Sequence, residues 1–181
     1  VDLLSASTGN GSANFPQDND GVIRRAPTAI YFDGADHVYP SLVMSAVIDI
    51  LGIKKDGGFD YDFENNLLNL IDSTDTIVRT IPIDDNGRMY VNYFGKFQTF
   101  YYLPYSYSMD PEMLPPDYWE GKVALVGASL PGLMDLRNTP VQETFAGVEI
   151  HANVMHSILQ NDFVVVKDNV STFYSILILC I

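Results

Sequence analysis

Cysteine is nearly absent: Cys180 is the only one in 181 residues. A single thiol cannot close a disulfide within the chain or build a thiolate metal site. Such sparing use of cysteine accords with an exported bacterial domain. Cationic side chains are also scarce, 10 Lys and Arg against 23 Asp and Glu, a formal net charge of −13. A surface of that sign repels phosphate backbones, and Arg24-Arg25 and Lys54-Lys55 are isolated pairs, so no nucleic-acid partner is expected. The three histidines, His37, His151 and His156, lack zinc spacing. There is no G-x-G-x-x-G, no Walker lysine and no G-x-S-x-G. The loop VGASLPG has Pro131 where a phosphate-cradling loop needs an N–H. The run DNDG at 18–21 suggests a calcium loop, but that register puts Pro16 and Pro27 at its first and last ligand positions, so a turn is expected. No cofactor and no metal are therefore anticipated. The opening residues carry no basic n-region, and there are no repeats and no low-complexity segment.

What is present is a globular composition, 47% hydrophobic and 18% charged, of a length suited to one domain. Residues 1–13 read as a flexible lead-in. Val22 to Phe32 has strand composition interrupted by Pro27. Ser41 is placed to cap a helix that Gly52 can end, and its polar positions, Ser41, Ser45 and Asp49, make one narrow stripe. Residues 54–75 read as a polar excursion at the edge of a sheet. IVRTIPI and RMYVNYF flank DDNG, the signature of a hairpin over about 77–94. QTFYY, 98–102, is a strand or extended loop. KVALVG, 122–127, is continuously apolar, like a strand buried in a sheet, and FVVV, 163–166, reads as a last strand. This pattern predicts an α/β single domain, a mixed β-sheet with helices packed on its faces.

GVEIHANVMHSIL, from Gly147, fits a helix at about 100° per residue. Val148, His151, Ala152, Val154, Met155, Ile158 and Leu159 fall on the apolar arc. Glu149, Asn153, His156, Ser157 and Gln160 fall on the other. His151 should be buried, and a buried imidazole needs a partner and can report pH. The preceding loop, LMDLRNTP, offers Asp135, Arg137, Asn138 and Thr139 where ligands tend to sit in α/β sheets. The same side chains serve equally well to tie that loop down.

From Ser171 the chain becomes continuously apolar. These residues, 171–181, are fewer than the about 20 that cross a bilayer, and they read as the start of a transmembrane helix or as a buried terminal element.

Six ordered pieces together resemble a known family. They are NFPQDNDGVIRRAP, YPSLVMSA, IPIDDNGRMYVNYFG, GKVALVGAS, DLRNTP and GVEIHAN, from Asn14 to about Leu159. The set is similar to the CHASE type 2 domain, the cyclase/histidine-kinase-associated sensory extracellular domain. The resemblance implies a sensory domain over 14–170, outside the cytoplasmic membrane of a bacterium, periplasmic or extracellular. Membrane helices should follow, then an adenylate/guanylate cyclase or a histidine or Ser/Thr kinase. It implies no catalysis in this domain, an unidentified small-molecule or environmental signal, and a homodimer. The family's earlier part, with a tryptophan-proline-arginine stretch, has no counterpart here, so the chain resembles the membrane-proximal, C-terminal portion; a missing strand would leave a sheet edge for a partner. Lys96 stands where the family often has proline. The motif positions suggest Asp135, Thr139, His151, Glu149, Arg24 and Arg88 as ligand-binding candidates, with Arg24 and Arg88 paired to Asp20 or Asp84. Two rival readings are a receptor dimerisation module without a small-molecule ligand and a hydrolase using Asp135 and His151 as an acid/base pair.

Overall fold

The structure, a computed structural model, describes residues 7–31, 38–110, 112–129, 135–166 and 176–178. Its elements begin with three short strands, β1 (Arg25–Pro27), β2 (Ala29–Tyr31) and β3 (Val38–Pro40), and a helix, α1 (Leu42–Leu51). Strands β4 (Phe59–Asp62), β5 (Leu67–Ile71), β6 (Ile77–Pro82) and β7 (Arg88–Tyr90) follow, then the one-turn α2 (Tyr105–Ser108). Strands β8 (Leu136–Arg137) and β9 (Phe145–Ala146) lead into α3 (Gly147–Gln160). The fold is mixed α/β. Among the described residues its strands form four small antiparallel sheets, β4-β5-β6, β1-β7, β2-β3 and β8-β9.

Helix boundaries follow local chemistry. Ser41 Oγ accepts the Met44 N–H at the start of α1, and Gly52, with φ 65°, ends it in the left-handed conformation. Residues of the lead-in lie against this helix start: Ser12 donates to Pro40 O and accepts from Leu42 N. Gly11 sits so close to the backbone of Ser41 and Leu42 that no side chain fits there.

The core is one cluster. It joins Val43, Met44 and Val47 of α1, Leu68, Leu70 and Ile81 of the three-stranded sheet, Phe145, and Ile150, Val154 and Ile158 of α3. Leu68 and Leu70 alternate inward along β5. Residues 54–75 are therefore not an excursion: they supply two strands of the largest sheet, because the short apolar run 67–71 pairs on both sides.

The turn expected at DDNG forms. Asp84 Oδ1 accepts from the Asn86 and Arg88 N–H groups, and Gly87 takes φ 69°. Its arms then part, β6 bonding to β5 and β7 to β1. Two expected strands are absent. Residues 122–127 and 163–166 have no strand pairing, and Val126 is 80% and Val165 70% exposed. Apolar, β-branched composition suits a pleated half-buried surface, but no described strand offers these segments backbone partners. Residues 98–102 form neither a strand nor a fully extended loop: Gln98 takes φ 68° and Thr99 N bonds back to Lys96 O, so the segment opens on a turn.

Most of the apolar segment 171–181 lies outside the described residues, and residues 176–178 form one helical turn. Among the described residues no helix is long and apolar enough to cross a membrane.

Candidate functional site

The six candidates fall in three neighbouring places around the start of α3 and the β1-β7 pair. At the first, His151 is buried as the helical period requires. Its ring lies 4.4 Å from that of Phe15, and it shares a hydrogen bond with the Ala13 backbone. Its Nδ1 is buried without a hydrogen-bond partner among the described residues. Burial pushes the His151 pKa below the ordinary histidine value, and the Ala13 bond and the Asp135 charge oppose that shift. Asp135 latches the helix start: its carbonyl accepts the Gly147 N–H at 2.9 Å. Its carboxylate crowds Gly147 so closely that a Cβ there would collide with it. A negative charge at that end also suits the helix dipole. Arg137 Nη2 lies 3.3 Å from Asp135 Oδ1, and both side chains are substantially exposed.

Thr139 is 4% exposed and closes its own turn, donating to Gln142 O and accepting from Gln142 N. Its neighbour Asn138 offers its carbonyl to Ile23 N at 2.8 Å. Thr139 thus ties the loop down, the structural alternative open to it at the sequence level.

At the second place the helical wheel needs correcting. Glu149, Asn153 and Ser157, placed on the arc opposite the apolar one, are 2%, 1% and 0% exposed. The loop 94–102 wraps over this face of α3. The Glu149 carboxylate accepts from the Gln98, Thr99 and Phe100 N–H groups and from Tyr102 Oη. Asn153 Oδ1 accepts from Phe94 N, while its Nδ2 donates to Glu149 O. Burial and the Glu149 charge push the Tyr102 hydroxyl pKa upward. Glu149 is therefore a clamp for the backbone amides of this loop, of which Thr99 also donates to Lys96 O. His156, on the same arc, is half-buried with its ring 4.4 Å from Phe94 and 5.8 Å from Phe100.

The third place is a chain of ion pairs. Arg24 grips Asp20 with two bonds, 2.9 and 2.8 Å, and reaches Asp18 at 3.2 Å. Arg25 bridges Asp18 and Asp84, and Arg88 donates to Asp84 through Nε at 2.9 Å and Nη2 at 2.8 Å. The expected pairs Arg24–Asp20 and Arg88–Asp84 thus exist, although Asp20 is over half exposed. The Arg24 fork and the Val22 N–H hold the Asp20 carboxyl down to about 2. Burial raises Asp84, but bonds from Arg88, Asn86 and Arg25 outweigh it and keep its carboxyl below the usual range.

Two open clefts flank Arg88. One, of about 570 Å³, is walled by Asp18, Asp20, Arg24 and Arg25. The other, of about 680 Å³, runs past Phe15, Tyr31 and Arg137. Sequence reasoning missed Phe15 here; the only hint was its place in NFPQDNDGVIRRAP, whereas Arg25 stood beside Arg24 among the motif positions. Among the described residues no group of three or more His, Cys, Asp or Glu is arranged to hold a metal ion.

Comparison with curated proteins and with solved structures finds no match. A family model described as the CHASE2 domain matches residues 2–181, reaching beyond the six sequence pieces at both ends. The chain belongs to the CHASE2 domain family, a family of extracellular sensory domains of signalling receptors.

Proposed function

We propose that this chain is the extracytoplasmic input domain of a bacterial transmembrane receptor, works as a homodimer, and controls a cytoplasmic adenylate/guanylate cyclase or a histidine or Ser/Thr kinase. The family match over 2–181 carries the reading. The core adds a route: α3 touches the Asp135 latch at one end and leads into 161–166 at the other. A signal acts only if it binds two packings of this helix differently.

The dimer is supported by the valines at 123, 126 and 164–166, which lie at the surface without strand pairing among the described residues. They favour, as a second reading, a module whose task is association alone. The hydrolase reading has less support, since His151 is closed in by Phe15 and Ala13 and Asp135 is engaged at the helix start.

Placement outside the membrane is tested by labelling. Tyr101 is 81% exposed. In the intact receptor, Tyr101→Cys in a Cys180→Ser background should react with a membrane-impermeant maleimide in whole spheroplasts. Reaction only after lysis would remove the extracytoplasmic reading.

A further inference from the structure

The groove past Phe15 differs in charge from the acidic chain that forms it. The protein carries 23 acidic side chains and 10 basic ones. Yet this groove is lined by two arginines, Arg88 and Arg137, and by no aspartate or glutamate. The adjoining cleft, by contrast, has Asp18 and Asp20 in its wall, already neutralising its arginines. In the groove the guanidinium donors are only partly used. Arg88 commits Nε and Nη2 to Asp84, leaving Nη1 without a partner among the described residues. Among the described residues Arg137 has one long contact, 3.3 Å to Asp135, and its side chain is 43% exposed. The remaining walls are apolar or neutral, with Phe15, Pro27, Ile30 and Tyr31 supplying the apolar part. A volume of about 680 Å³ suits a small molecule.

We propose that this groove binds a small aromatic carboxylate. The carboxylate takes the fork of Arg137, with Arg88 Nη1 as a second donor, since planar guanidinium matches planar carboxylate. The ring takes the apolar walls, where aromatic side chains provide stacking faces. A neutral amide of the same shape loses the charge-assisted bonds, an amine meets like charge, and acetate lacks the body that fills the groove. Two walls also touch the start of α3: Phe15 packs on His151, and Arg137 pairs with the Asp135 latch. Occupation therefore competes with Asp135 for Arg137 and bears on the helix start. That consequence rests on the sensory reading, whereas binding itself does not.

The test is calorimetric titration of the 181-residue chain at low ionic strength with benzoate and phenylacetate, beside benzamide, benzylamine and acetate. Saturable binding of at least one aromatic carboxylate is expected, at least about tenfold tighter than the three controls. Arg137→Gln should weaken it about tenfold with an unchanged melting temperature, because this side chain is half-exposed and holds one long contact. Phe15→Leu should weaken it with the carboxylate preference retained. No saturable binding by either carboxylate, equal binding of benzamide, or undiminished binding in Arg137→Gln would each overturn the site. Binding without spheroplast labelling would remove only the receptor placement, and labelling without binding would remove only the groove.

Discussion

A neutral imidazole suits the surroundings of His151 better than a charged one. Burial lowers its folded pKa below 6.5, against the pull of Ala13 and Asp135. In the unfolded chain it titrates near the ordinary value, so as pH falls through about 6.5 the unfolded state gains a proton that the folded state refuses. Stability from this group is complete above that pH, declines below it, and levels off beneath the lowered folded pKa. Thermal melting at pH 7.0 and 5.5 should show a drop that His151→Gln largely removes; an equal drop in the variant would place its origin elsewhere. The wheel reveals the burial of His151 because its own helix dictates it. Glu149 was not legible in that way, since what covers it is a loop from 94–102 with no period to read. Arg24 and Arg88 stood out by motif, yet nothing local in the sequence distinguishes a neutralised arginine from one with donors to spare.

At the scale of elements, α3 is held by groups outside it along its whole length. Glu149 organises three consecutive amides and a tyrosine hydroxyl. Glu149→Gln removes the charge and turns a donor toward donors, so it should destabilise by about 3 kcal/mol. Amide exchange should accelerate at Gln98, Thr99 and Phe100 first. Unchanged exchange at those three would show that the carboxylate is not their anchor. The ends of α1 and α3 were legible from side-chain spacing, and α1's caps from Ser41 and Gly52, because capping is a short-range bargain between neighbours. Strands were less so. KVALVG and FVVV have the composition of strands, but pairing depends on what lies alongside, and β4 and β5 arose within a segment whose polarity argued against them.

For the whole molecule, opposing tendencies meet at the surface. A net charge of −13 keeps copies apart, while exposed Val123, Val126 and Val164–Val166 favour association. In sedimentation at physiological ionic strength, the average mass should rise toward the dimer with concentration, and added salt should favour that rise by screening. Val126→Asp should return the protein to monomer without lowering its melting temperature, as this side chain is 80% exposed. A monomer at every concentration would leave the valines without this role. Arg79 of β6 adds a consequence for how motion travels. Its Nε and Nη2 grip the carbonyls of Ile158 and Leu159 at 2.8 and 2.9 Å, and Asn161 turns the chain away just beyond. A helix riveted to the sheet at that end has its fulcrum there. Under the proposed function, a signal that released the Gly147 end from its latch would turn the heading of 161–166 rather than slide it lengthwise, making α3 a lever and not a piston.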